Sequence, residues 1–421
     1  MQSFKAGMVW LGIVGLSVGL TAGIAVAEPA DSGGAKSTEG AEMVSVATTE
    51  GLETWLGGFR QRARAAGIPE TVLNDALTGL HYDEDVIRRD RSQSEFTKTI
   101  WEYLDTAASD ARIANGRAML REHAALLDRI EARYGVDKEI VTAIWGLESA
   151  YGTFRGSVPT IQALASLAYD GRRAAFFEGE LLSALKILAA GDTVPARMQG
   201  SWAGAMGHTQ FMPSSFLTYA QDFNGDGRRD IWGDDPADAL ASTAAYLAQS
   251  GWTTGAPWGV EIRLPEGFDY ALTGERVEKP VTKWQALGLR TVAGGDLPEQ
   301  GPASVLLPGG AQGAAFLIFA NFRVIERYNT ADAYVIAVGH LADRLKGGPA
   351  IETAWPRGDR ALSFGERTEM QERLIKAGFD TFGVDGKIGP NTIAAVKAFQ
   401  TQIGWIPDGY PSLRVLAKLR P

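Results

Sequence analysis

Three short segments hold the residues whose types and spacing suit chemistry. In the first, Ile140, Ile144 and Leu147 recur at i, i+4 and i+7, one face of a helix, and Glu148 at i+8 falls in line with them. A carboxylate in that register points toward apolar surroundings, which disfavour its charged form. It also stands in the last helical turn, where the negative end of the dipole opposes an anion. Both effects push the pKa upward, and a carboxylic acid still protonated near neutral pH is what a general acid requires. Periodicity alone leaves an alternative, a glutamate reaching out of the helix end toward Arg155.

The second segment is GAMGHTQFMPSS, residues 204–215. Gly204 and Gly207 permit close backbone approach, and Pro213 with Ser214 suits the start of a helix. Gln210 and the loop amides suit a neutral polar ligand such as an acetamido group. The Gly-Lys-Ser/Thr of a phosphate loop is missing. The third segment, DFNGDGRRD, places Asp222, Asn224, Asp226, Arg228 and Asp230 at positions 1, 3, 5, 7 and 9, with Gly227 at 6. That matches a calcium loop in which residue 7 contributes its carbonyl. Position 12 is Gly233 instead of glutamate, so a weak or longer calcium loop and a metal-free turn both remain open. No cofactor is expected for the chemistry itself.

Helices are expected to position these segments. The periodicity predicts amphipathic helices over 53–66, 69–77, 117–134, 138–151 and 174–189, with Gly152 and Gly191 as stops for the last two. Short alternating runs broken by Gly and Pro predict a small β insert over 258–307, and helix returns over 314–322 and 330–345. Residues 347–360 read as a linker, and 361–421 as a self-contained unit. Residues 8–27 carry no charge, follow Lys5 and end in Ala25-Val26-Ala27, the pattern of a cleaved signal peptide (1–27), with an uncleaved membrane anchor of about 20 apolar residues as the alternative. A polar leader (28–48) and a main domain (49–346) complete the division.

Composition excludes several classes. The chain has 421 residues, 45% hydrophobic, which rules out wholesale disorder. A net charge of −9 argues against nucleic acid as a partner. With no cysteine, thiolate catalysis, disulfides and a lipid anchor are excluded. None of the four histidines (His81, His123, His208, His340) pairs at i,i+4, so a histidine metal site is not expected.

Taken in order, Glu148-Ser149-x-x-Gly152, Gly204-x-Met206-Gly207-x-x-Gln210-Phe211-Met212-Pro213-Ser214, Asp222-Phe-Asn-Gly-Asp-Gly and Tyr328-Asn329 resemble the membrane-bound lytic murein transglycosylase B family over roughly residues 50–345. The resemblance implies a mainly α, lysozyme-like fold that cleaves peptidoglycan glycan strands in the periplasm. It implies Glu148 as the single catalytic acid/base. Ser149, Gln210, Tyr246, Tyr328 and Asn329 then line the saccharide groove, with Met206 as a wall and Arg172-Arg173 meeting peptide-stem carboxylates. Residues 361–421 resemble the peptidoglycan-binding domain 1 type, through Asp385-Gly386-x-Ile388-Gly389 and Ala398-Phe399-Gln400. Its expected three-helix core is Leu374, Ile393, Val396, Phe399 and Leu416. The rival readings are a lysozyme-type hydrolase and a non-catalytic wall-binding protein.

Overall fold

The computed structural model describes residues 48–92 and 98–421. The expected signal peptide and all of the leader but Thr48 lie outside the described residues. Among the described residues no helix is long and apolar enough to cross a membrane.

The fold is mainly α, as the periodicity predicts. Two helical cores lie side by side. One gathers residues 100–145 with the Ala237–Gln249, Ala320–Tyr328 and Asp332–Leu345 helices. The other joins Thr49–Ala65, Thr160–Asp170, Ala174–Ala190 and Pro213–Tyr219. Tyr246 and Tyr328 pack against both, and so mark the seam between them. The Lys138–Ser149 helix is buried on nearly every side and packs along the Asp332–Leu345 helix. Each of the two helices carries a glycine that admits an aromatic ring. A Cβ on Gly146 would lie 2.6 Å from the Tyr151 ring, and one on Gly339 2.3 Å from Trp258.

Several boundaries differ from expectation. The single helix over 117–134 is two, Asp110–Glu122 and Ala124–Tyr134, because the chain turns at His123. The stretch 314–322 begins as a strand, with helix starting only at Ala320. The strands are β1 (Val158–Pro159), β2 (Gln199–Gly200), β3 (Gly259–Arg263), β4 (Lys279–Pro280), β5 (Arg290–Thr291), β6 (Pro302–Leu306) and β7 (Ala315–Ile318). β1 pairs with β2, and the rest form an antiparallel sheet in the order β4-β6-β7-β3-β5. The insert therefore extends to Ile318. β7 is buried on both faces: Phe316 and Ile318 join the helical core, while Ala315 and Leu317 join the insert's own core. Such a strand is an unbroken apolar run, which a helix reading also fits.

The C-terminal unit has the expected three helices, Phe364–Lys376, Pro390–Gln402 and Leu413–Leu419, over a core of Met370, Leu374, Val396, Phe399 and Leu416. Ile393 is not in it; it is 36% exposed and lies against Gly409. The segment expected to be a linker is strapped down. Glu261 accepts from the amides of Glu352 and Thr353 at 2.9 and 2.8 Å, and Arg357 pairs with Asp105 at 2.7 Å. Trp355 fills the space left by Gly309 and Gly313 and meets Trp101. The unit is also docked: Lys397 Nζ bonds Thr273, and Asp408 accepts from the Ala311 amide at 2.9 Å.

Trp355→Ala in the full chain is therefore expected to cost about 2 kcal/mol of stability in chemical unfolding, since the half-buried ring leaves a void. Arg357→Ala removes only an exposed ion pair and should leave the transition unmoved. Equal effects from the two would mean that Trp355 is not packing the segment down.

Candidate active site

The Lys138–Ser149 helix ends abruptly after Glu148 and Ser149. Ala150, Tyr151 and Gly152 are all left-handed, with φ of 49°, 60° and 81°. Two consecutive non-glycine residues in that region are strained, at roughly 1–2 kcal/mol each. The turn folds Tyr151 back over Gly146, and its hydroxyl donates to the Arg112 carbonyl at 2.9 Å. Glu148 is thereby presented at the helix end instead of being followed by another turn.

Its carboxyl sits as the register predicts. Desolvation raises the Glu148 pKa to about 7, against the opposing effect of one hydrogen bond, from the Tyr334 hydroxyl to Oε1 at 2.6 Å. Among the described residues no charged side chain contributes to the shift. Arg155, the alternative partner, instead pairs with Asp234 at 3.0 Å. Tyr334 is buried, and the Glu148 charge helps raise its own pKa well above the ordinary value. The Tyr334 proton therefore stays on the phenol, which serves as a fixed donor.

Around this acid lies an aromatic cluster. Tyr246 and Tyr328 have ring centroids 5.0 Å apart, and each lies within about 6 Å of Phe211. Tyr328 donates to the Thr209 carbonyl and Tyr246 to the Arg327 carbonyl. Both rings keep a partly exposed surface. Gln210, at φ 54°, uses both amide hydrogens internally, toward the carbonyls of Arg155 at 3.0 Å and Gly207 at 2.8 Å. A ligand's N–H can still reach its carbonyl oxygen.

Other expected site residues are placed differently from a groove lining. Ser149 is fully buried, its hydroxyl donating to the His208 carbonyl and accepting from the Gly152 amide. Met206 is fully buried and Asn329 is 6% exposed, its Oδ1 accepting from the Ala331 amide. Arg172 and Arg173 both bond the buried Asp90, so two cations share one anion and the pair keeps net positive charge.

In the 222–230 loop, Asp222, Asn224 and Asp226 accept from backbone amides of the loop itself. Asp230 accepts from the Trp232 and Gly233 amides and pairs with Arg197. Asp238, which the sequence reading does not single out, closes the loop from outside by accepting from the amides of Phe223, Asn224 and Asp230. Tyr334 is the other omission. It sits in an apolar stretch 186 residues from Glu148, and no local pattern marks it.

The chain matches the transglycosylase SLT domain family over residues 51–343 and the peptidoglycan binding domain family over residues 365–419. It is 35% identical over 240 residues to membrane-bound lytic murein transglycosylase B of Escherichia coli (strain K12), and spans 63% of the length of that protein, or 55% of its own. SltB3 from Pseudomonas aeruginosa, in complex with NAG-anhNAM-pentapeptide, superposes with a TM-score of 0.86 at 50% identity, covering 88% of this chain and 99% of that one. The Escherichia coli lytic transglycosylase Slt35 in complex with calcium gives 0.60 at 29% identity, over 71% and 93%. With the helical fold, the lone acid at the helix end and the family match over most of its length in agreement, the chain belongs to the transglycosylase SLT domain family.

Proposed function

We propose that this chain is a lytic transglycosylase, a lyase that cleaves the β-1,4 bond between N-acetylmuramic acid and N-acetylglucosamine in peptidoglycan and leaves a 1,6-anhydro-muramoyl end. The observation that carries the reading is Glu148: one desolvated carboxylic acid with a pKa of about 7 and no second acid acting on it. Protonated Glu148 donates to the glycosidic oxygen as the bond to C1 breaks, while the acetamido oxygen of the substrate supports C1. The resulting carboxylate takes the proton of the muramoyl 6-hydroxyl, whose oxygen closes on C1. Glu148 thus acts as acid and then as base, and the Tyr334 hydroxyl steadies the charged form between the two steps. A hydrolase with water as acceptor ordinarily places a second carboxylate roughly 5–9.5 Å away. The bound anhydro sugar of the SltB3 relative also favours ring closure.

Tyr246 and Tyr328 offer aromatic surface for sugar rings, Gln210 offers its carbonyl oxygen to an acetamido N–H, and the Arg172-Arg173 pair attracts stem-peptide carboxylates. The C-terminal unit holds the enzyme on the wall. Export through residues 1–27 would carry it to the periplasm. The donor set of Asp222, Asn224, Asp226, the Arg228 carbonyl and Asp230 is all oxygen and fits a calcium ion by type. Such an ion would tie the loop together and take no part in the chemistry.

Four outcomes test the reading. Glu148→Gln should fold normally and lose on the order of 10²–10⁴-fold in turnover of soluble glycan fragments, because the amide keeps the shape but carries no transferable proton. Near-normal turnover would remove Glu148 from the mechanism. In the wild type, kcat should fall as pH rises through about 7, where Glu148 deprotonates. Tyr334→Phe removes a bond that favours the charged form, so its alkaline limb should move to higher pH; a shift to lower pH would contradict the assigned role. For the loop, EDTA should lower the melting temperature and calcium should restore it. Identical melts with chelator and with millimolar calcium would make it a plain turn.

A further inference from the structure

The turn after Glu148 has no helical continuation to hold it, so its orientation depends on side-chain anchors. The main one is a histidine. His208 is 3% exposed, and both ring nitrogens are engaged. An indole N–H only donates and a peptide carbonyl only accepts, so the partners locate the proton. Nδ1 accepts from Trp145 Nε1 at 3.1 Å, which leaves the ring hydrogen for Nε2. Nε2 donates to the Gly233 carbonyl at 2.8 Å and lies 3.2 Å from Arg155 Nη1, whose own hydrogen bond goes to the same Gly233 carbonyl. The ring is therefore neutral, with its hydrogen on Nε2.

The main chain of the same residue is equally committed. Its carbonyl accepts from the Ser149 hydroxyl at 2.6 Å, and its N–H donates to the Ile231 carbonyl at 3.1 Å. The Ser149 hydroxyl accepts in turn from the Gly152 amide at 2.8 Å. Gly152 must lack a side chain, since a Cβ there would lie 2.5 Å from His208 Nδ1. Trp145 and Ser149 are one turn apart on the catalytic helix, at i and i+4, and Glu148 lies between them at i+3. One residue thus grips the final turn at two points. It also holds the 231–233 backbone and precedes Gln210 by two positions.

We propose that His208 is a positioning residue for Glu148, fixing the last turn of the catalytic helix against the 204–213 loop through Trp145 and Ser149. The proposal rests on Glu148 as the acid/base, and His208 itself transfers no proton to substrate. Its effect is geometric: freeing the Trp145 indole lets the final turn shift, and a displacement of about 1 Å at a reacting group costs on the order of 10²-fold in rate.

The test uses the full chain. In ¹⁵N-labelled wild type, His208 should appear as the Nε2–H tautomer across neutral pH, and the Trp145 indole N–H should exchange slowly. His208→Gln keeps an amide donor for Gly233 but removes the acceptor for Trp145, and Trp145→Phe removes the donor. Each should lower kcat on soluble glycan fragments by roughly 10- to 100-fold with KM within about twofold, and the double variant should be no worse than either single one. An Nδ1–H tautomer in the wild type, a change confined to KM, or additive losses would overturn the proposal. The tautomer and exchange measurements need no catalysis, so an active Glu148→Gln would sink the functional reading without touching them.

Discussion

Keeping an ionisable carboxyl out of water at the C-terminal end of a helix is the constraint on which the rest of this structure depends. Burial, the helix dipole and the absence of a countercharge all disfavour the Glu148 anion, and one tyrosine hydroxyl alone opposes them. The balance leaves a proton that is held at neutral pH yet still transferable. Adding a cation beside Glu148 would lower the pKa and lose the proton before neutral pH; removing Tyr334 would raise it and make the proton harder to give up. A single residue that must both give and take a proton needs a pKa between those limits.

The surrounding architecture serves that placement. The Lys138–Ser149 helix packs along the Asp332–Leu345 helix, which brings Tyr334 to the Glu148 carboxyl, and Gly339 lets Trp258 lie against the same helix. Trp258 directly precedes β3 and donates its indole N–H to Asp343 at 2.8 Å, so the β insert braces the tyrosine-bearing helix. The insert is in turn clasped by the strapped segment at Trp355 and by the docked C-terminal unit through Lys397 and Asp408. Tyr246 and Tyr328 pack against both helical cores and mark the seam between them.

Much of this is legible in the sequence because it is local. The i, i+4, i+7 stripe ending in Glu148 foretells the raised pKa, and the Gly-rich loop and the aspartate-rich loop stand where their residue types place them. What is not legible depends on contacts between distant segments. Tyr334 looks like one more core residue until the fold sets it 2.6 Å from Glu148. His208 reads as a lone histidine in a turn, and Asp238 as a polar residue in a helix, although His208 makes four hydrogen bonds through its ring and main chain and Asp238 accepts three from backbone amides. Ser149, Met206 and Asn329 show the converse, since their residue types suit ligand contact while the fold buries them. The β7 run was ambiguous for a physical reason: a strand covered on both faces has no alternation to read.

The account turns on the protonation state of one carboxyl, and that state is open to direct observation. Titrating the side-chain carboxyl of Glu148 by ¹³C NMR, with Glu148→Gln to assign the resonance, follows the group without any assay of activity. The account predicts a midpoint of about 7. A midpoint near the ordinary glutamate value of about 4.3 would mean that the carboxyl is solvated and charged at neutral pH, and that the desolvated acid on which this account rests does not exist.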